Sequence, residues 1–249
     1  MNLLRNDLLK FRRSHIWTVI VLIPLIAVAI GSANYIANSD ELNDGWDSYF
    51  SQVLLFYGLV FMTIGVSIIA ASTWRFEHKG HNWHTIMTST RPAGKLIASK
   101  VAIVTVVVSV MQVALLLFTM LGALVLSVPG QFPWSRVIAI LLAIIPGIAV
   151  ASWQSFLSMI IRNFAAPIAI ALLMCIFSIG ILSSGASGAA YFIPPALLTS
   201  SISLGSTAVS TSATLDVTGV ATIVCSAAAL TGLGWLASVV YLKKVDIRL

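Results

Sequence analysis

Six stretches of the chain carry no Asp, Glu, Lys or Arg: 14–39, 48–74, 101–135, 137–161, 163–215 and 217–242. They are 26, 27, 35, 25, 53 and 26 residues long. A helix needs about 20 apolar residues to cross the hydrocarbon core of a bilayer, so each stretch can cross at least once. The pattern predicts spans at about 16–37, 50–73, 100–127, 136–160, 165–183 and 217–241. The expected fold is an all-α, polytopic membrane protein, one transmembrane domain over 1–249 with short connections. The 53-residue stretch is long enough for two crossings, but residues 196–215 hold ten Ser or Thr in twenty positions, too polar to face lipid. Residues 184–215 are therefore expected to form an external or re-entrant element, turned by Pro194 and Pro195, that does not cross. Irregular backbone at membrane depth is tolerated only where protein or water satisfies it.

Charge gives the expected orientation. Thirteen of the fourteen Lys and Arg fall on one side of the alternating spans and only Arg136 on the other, where Asp40, Glu41, Asp44, Asp47 and Asp216 gather. Loops on the cytoplasmic side are enriched in Lys and Arg, so both termini are expected in the cytoplasm of a multi-pass cell-membrane protein. The net charge of +6 then reports topology and no nucleic-acid partner. Composition agrees: 59% of residues are hydrophobic and 9% charged, against about 25% charged in a soluble domain.

The chain opens with a basic, amphipathic segment over 1–14. Leu4, Leu8 and Phe11 share one face, which suits an interfacial helix lying on membrane lipid. The apolar run behind it continues to about Ala37, too long for a cleaved signal core. In span 2, Ser51, Gly58, Gly65 and Ser72 recur every seven residues, a small-residue stripe of the kind that lets helices approach closely. Trp17, Tyr35, Trp46, Tyr49, Trp74, Trp134 and Tyr241 fall near span ends, as an interfacial aromatic belt would.

Catalytic chemistry is not legible. No GxxxxGK[ST] loop, HExxH or nucleophile elbow is present; Gly94-Lys95 has Ser89 where the first glycine should stand and Leu96 after the lysine. The interior of the predicted spans, away from their end residues Lys100 and Arg136, contains no Asp, Glu, Lys or Arg, which ion-coupled transporters usually require. Asn34, Gln112 and Gln154 are expected to bond to neighbouring helices. His78, His81 and His84 are spaced too widely around a helix to converge on a metal, and Cys175 and Cys225 form no zinc or disulfide framework.

The segment 74–100 is distinctive. Glu77 is its only acid among Arg75, Lys79, Arg91, Lys95 and Lys100, and Gly80 and Pro92 punctuate it. A basic N-terminal helix, six spans, and a glutamate, a glycine and a basic-flanked proline between spans 2 and 3 resemble the permeases of type-2 ABC exporters. The resemblance is specifically to the lantibiotic-immunity and bacitracin-type branch. The resemblance implies a coupling element around Glu77, Gly80, Arg91, Pro92 and Lys95 that docks on a separate ATP-binding subunit. ATP and Mg would sit on that partner, with no cofactor on this chain, and a second permease, identical or related, would complete a path. It also implies a peptide antibiotic as substrate. Export of a lipid, glycan or other drug, or a non-transporting scaffold or sensor, are the alternatives. Glu77 is expected to begin the coupling helix, where its carboxylate would complement the positive end of the helix dipole.

The topology is testable by cysteine substitution at Ser39, Ser89 and Ser206 with an impermeant thiol reagent on intact cells. Labelling is expected at Ser39 and not at Ser89; the reverse pattern would invert the orientation.

Overall fold

A computed structural model describes residues 16–39, 41–42, 45–78, 92–203 and 217–245. The expected interfacial helix, Gly80, Arg91, His81 and His84 lie outside the described residues. Regular structure among them is helical: α1 Ile16–Ala37, α2 Trp46–His78, α3 Ala93–Val125, α4 Trp134–Ile160, α5 Ala165–Ser183, α6 Ser187–Ala190, α7 Pro194–Ile202 and α8 Val217–Val245. Six of these, α1 to α5 and α8, are long and apolar enough to cross a membrane, as the charge-free stretches predict. The nine residues of α7 span about 14 Å at 1.5 Å per residue, too short to cross.

The helices overrun the charge-free stretches at one end of the bundle. α2 runs on to His78 and α3 starts at Ala93, so Arg75, Glu77 and Lys100 are helical residues and not parts of a connection. This basic end of the bundle also carries Arg162, Lys243 and Lys244.

The centre of the bundle is the second half of α4, Ile144–Ile160, which packs against α2, α3, α5, α7 and α8. Its buried positions are mostly small: Gly147, Ala149, Ala151, Ser152, Ser155 and Ser158. Small side chains let five neighbours approach one helix closely. The helix breaks at Ala143, three residues before Pro146, whose ring cannot donate to the carbonyl four residues back.

α2 is interrupted as well, by a π-helical turn at Tyr57–Phe61. The Gly58 carbonyl in this turn accepts a 2.8 Å hydrogen bond from the Thr199 hydroxyl of α7. The buried Tyr57 hydroxyl donates to Gln112 Oε1 of α3, and Gln112 Nε2 donates to the Ile140 carbonyl of α4 at 2.9 Å. Gln154 of α4 accepts from Ser67 of α2 at 3.2 Å, and the Asn34 amide of α1 donates to Gln52 of α2. The interior amides therefore serve as helix-to-helix bonds.

The π turn also rotates the residues beyond it, so the heptad stripe has no common partner. A Cβ on Gly58 would stand 3.0 Å from Ile202 of α7, whereas one on Gly65 would meet Met111 of α3 at 3.0 Å and Ile23 of α1 at 3.3 Å. Ser51 turns its hydroxyl to the Ser48 carbonyl, and Ser72 is half-buried. The tightest backbone approach lies elsewhere, at Gly31 of α1, where a Cβ would be 2.5 Å from Val53 Cα of α2.

At the end opposite the basic one, Arg136 is buried and forks onto Asp47, with Nε to Oδ1 and Nη2 to Oδ2 both 2.8 Å. The one basic residue set apart from the other thirteen is thus neutralised by an acid in the first turn of α2. The aromatic belt is corrected in part. Trp17 and Trp134 are exposed, but Tyr35, Tyr49 and Trp74 are buried. Tyr49 bonds Ser32 through its hydroxyl and meets Tyr35 edge-on, so these rings join helices.

The two glycines make different predictions. Gly31→Ala pushes a methyl into backbone that cannot move aside, and overpacking of this kind costs about 1–3 kcal/mol. Gly65→Ala meets only the flexible side-chain ends of Met111 and Ile23. Thermal unfolding in detergent should show the larger loss for Gly31→Ala; an equal or smaller loss would contradict the α1–α2 approach.

Candidate functional site: the foot of the second span

The last turn of α2, residues 74–78, presents successive side chains to three neighbours. Glu77 turns to α3: its Oε1 lies 2.6 Å from Lys100 Nζ. Trp74 lies beside the same ammonium, which sits 5.9 Å from its ring centroid. His78 turns to α4, its Nε2–H donating to the Ser158 carbonyl at 2.9 Å. Arg75 turns to the connection between α4 and α5, its guanidinium 5.1 Å from the centre of the Phe164 ring. α3 is in turn tied to α8, where Trp235 Nε1–H donates to the Gly94 carbonyl at 3.1 Å. A Cβ on Gly94 would stand 2.8 Å from that indole, so only glycine lets the ring lie against the first turn of α3.

The electrostatics centre on Glu77. Its side chain is 6% exposed and that of Lys100 2%. Glu77 belongs to the end of α2 and begins no helix, which corrects the expected placement. Its carboxylate faces the negative end of the helix dipole, where an acid is disfavoured. Burial disfavours the charge further, so the nearby ammonium is required. A partner for it stands on the neighbouring span, Lys100 of α3. Removing one member of a buried pair leaves an uncompensated charge and typically costs about 3–5 kcal/mol.

Pro92 and Lys95 are exposed. Pro92 precedes α3 with φ −59° and ψ 129°, and its carbonyl accepts from the backbone N–H groups of Lys95 and Leu96. Gly80 and Arg91 lie outside the described residues, so their placement relative to Glu77 is not part of this geometry. The stripe residues Gly58 and Gly65 lie higher on α2, against α7 and α3. Among the described residues no group of three His, Cys, Asp or Glu could hold a metal ion, and His78 uses Nε2 on a carbonyl.

Sequence reasoning does not single out Lys100, Trp74, Ser158 and Trp235 as members of this cluster. The one available signal is Glu77 itself, a lone acid among five bases. Its partner could be any of them until the helix boundaries are known.

The architecture is that of a membrane bundle in which the connection between the second and third spans leaves from one heavily cross-braced turn. Residues 3–178 match the model of the ABC-2 family transporter proteins. The chain belongs to this family. The match covers the first four spans and most of α5 and stops before α7 and α8. No curated protein matches the sequence. As an ABC-2 family member this is a membrane-spanning transporter subunit of the permease type, and membership implies an ABC ATP-binding partner in general terms.

Proposed function

We propose that this chain is the permease subunit of an ABC exporter that expels an amphipathic molecule, a peptide antibiotic of the lantibiotic or bacteriocin kind, and so confers immunity or resistance. A separate ATP-binding subunit holds ATP and Mg; this chain has no phosphate-binding loop of the GxxxxGK[ST] form to do so. Two permeases, identical or related, enclose the path, with the basic end and both termini in the cytoplasm.

The observation that carries this reading is the foot of α2. In an ABC-2 permease, force from a nucleotide-driven partner must enter the bundle through a connection between spans. The 79–91 connection leaves directly from the turn bonded to α3, α4 and the α4–α5 corner, and it returns to α3 above Lys100. A push on this connection enters the bundle through the contacts of that turn with α3, α4 and the α4–α5 corner. The substrate class rests on the spans: among the described residues their buried charged groups, Glu77, Lys100 and Arg136, are paired near the two ends, Glu77 with Lys100 and Arg136 with Asp47. The interior amides bond helix to helix. Such a lining suits a molecule with a large apolar face better than a small ion.

Lys95 is exposed on the first turn of α3, and with Arg91 it supplies positive charge to a docking partner. The double variant Arg91→Glu/Lys95→Glu should lose co-purification with the ATP-binding subunit and lose protection of cells against the peptide. Lys243→Glu/Lys244→Glu, at the end of α8, should retain both. Undiminished co-purification of the first variant would remove the docking role. Absence of any ATP-binding protein beside the unaltered chain would remove the exporter reading.

A further inference from the structure

The sequence invites the view that Glu77 acts by displaying a lone negative charge to a partner. Its geometry does not permit that. The carboxylate is buried, and its charge is met by Lys100 of the next span. The two residues also stand at a particular place. Glu77 is one residue before the end of α2, and Lys100 is seven residues into α3, so the pair bridges the two helices just inside the bundle from the 79–91 connection. Trp74, one turn above Glu77 and fully buried, walls the ammonium from the interior side. Among the described residues the contact joins three buried side chains from two spans.

We propose that Lys100 is a positioning residue for coupling: with Glu77 and Trp74 it clamps α2 to α3, so that the connection between them moves both spans as one body. The proposal rests on the exporter reading and deepens it. What matters for coupling is then the pair and not the sign of the charge at position 77. Without the clamp, force entering between α2 and α3 would be absorbed by splaying of the two helix ends, because spans that are not fastened together can move apart. Exchange of the charges should be tolerated electrostatically. It places a lysine at the C-terminal end of α2, where the helix dipole favours a cation.

The test combines a partner-free measurement with a functional one. In the purified chain, Glu77→Gln and Lys100→Met should each lower Tm, by on the order of 10 °C for loss of one member of a buried pair. The double variant Glu77→Gln/Lys100→Met should lose clearly less than the sum. With the ATP-binding subunit present, either single variant should keep co-purification and ATP hydrolysis while transport per ATP falls roughly 2–30-fold, the range expected for altered coupling. The exchanged pair Glu77→Lys/Lys100→Glu should recover much of that loss; if it does not fold, Lys100→Arg, which keeps a cation opposite Glu77, should retain coupling where Lys100→Met loses it. A merely structural pair would lower yield and association together and leave transport per ATP unchanged, which would overturn the proposal. So would additive Tm losses, or normal coupling in Lys100→Met beside a defect in Glu77→Gln. Failure of the unaltered chain to bind any ATP-binding subunit would bring down the exporter reading and the coupling role with it, while the Tm cycle would still decide whether the pair fastens α2 to α3.

Discussion

A carboxylate buried at the C-terminal end of a membrane helix is opposed twice, by desolvation and by the helix dipole. Glu77 occupies that position, and the 2.6 Å contact with Lys100 is what makes it tenable. The organisation of the basic end derives from this constraint. α3 must begin early enough to bring Lys100 alongside the last turn of α2. Trp74 must be buried rather than interfacial, and the side chains on either side of Glu77 reach the other neighbours. Arg75 finds Phe164 and His78 finds the Ser158 carbonyl. One turn of helix thereby holds three parts of the bundle in register.

The opposite end uses the same device with a different balance. Asp47 stands in the first turn of α2, where the dipole favours it, and stays largely exposed while Arg136 is buried. α2 is thus pinned by an ion pair at each end. Between the pins it is braced by neutral bonds at its π turn, with Thr199 on the Gly58 carbonyl and Tyr57 on Gln112. The outer surface is apolar: Val110, Val113, Leu117 and Leu121 of α3 and Leu172, Leu173, Ile176 and Phe177 of α5 are exposed, as expected of a chain whose solvent is hydrocarbon.

The fold is legible because charge is so scarce that its gaps measure out the spans. All six long helices fall within or around the charge-free stretches, and the polar 196–203 portion contributes to a short helix rather than a span. What the gaps cannot show is that helices continue past their ends. A charge-free stretch ends at Trp74, but the helix does not, because Glu77 and Lys100 neutralise one another inside the bundle. The pair is hidden by the very rule that finds the spans. The heptad of small residues suffers similarly: seven-residue spacing implies one face only in an unbroken α-helix, and the π turn at Tyr57–Phe61 divides it. Gly31, where backbone meets backbone, belongs to no pattern.

The central claim is that α2 and α3 respond to the ATP-binding subunit as a single body. The most direct measurement is the distance between spin labels on Arg75 of α2 and Ala98 of α3, both at exposed positions, in the complex with and without a non-hydrolysable ATP analogue. A third label at Val217, at the far end of α8, reports whether the bundle moves at all. The account predicts an unchanged Arg75–Ala98 distance while the distance between the Val217 labels of the two permeases shifts. A change in the Arg75–Ala98 distance on binding the analogue would contradict it.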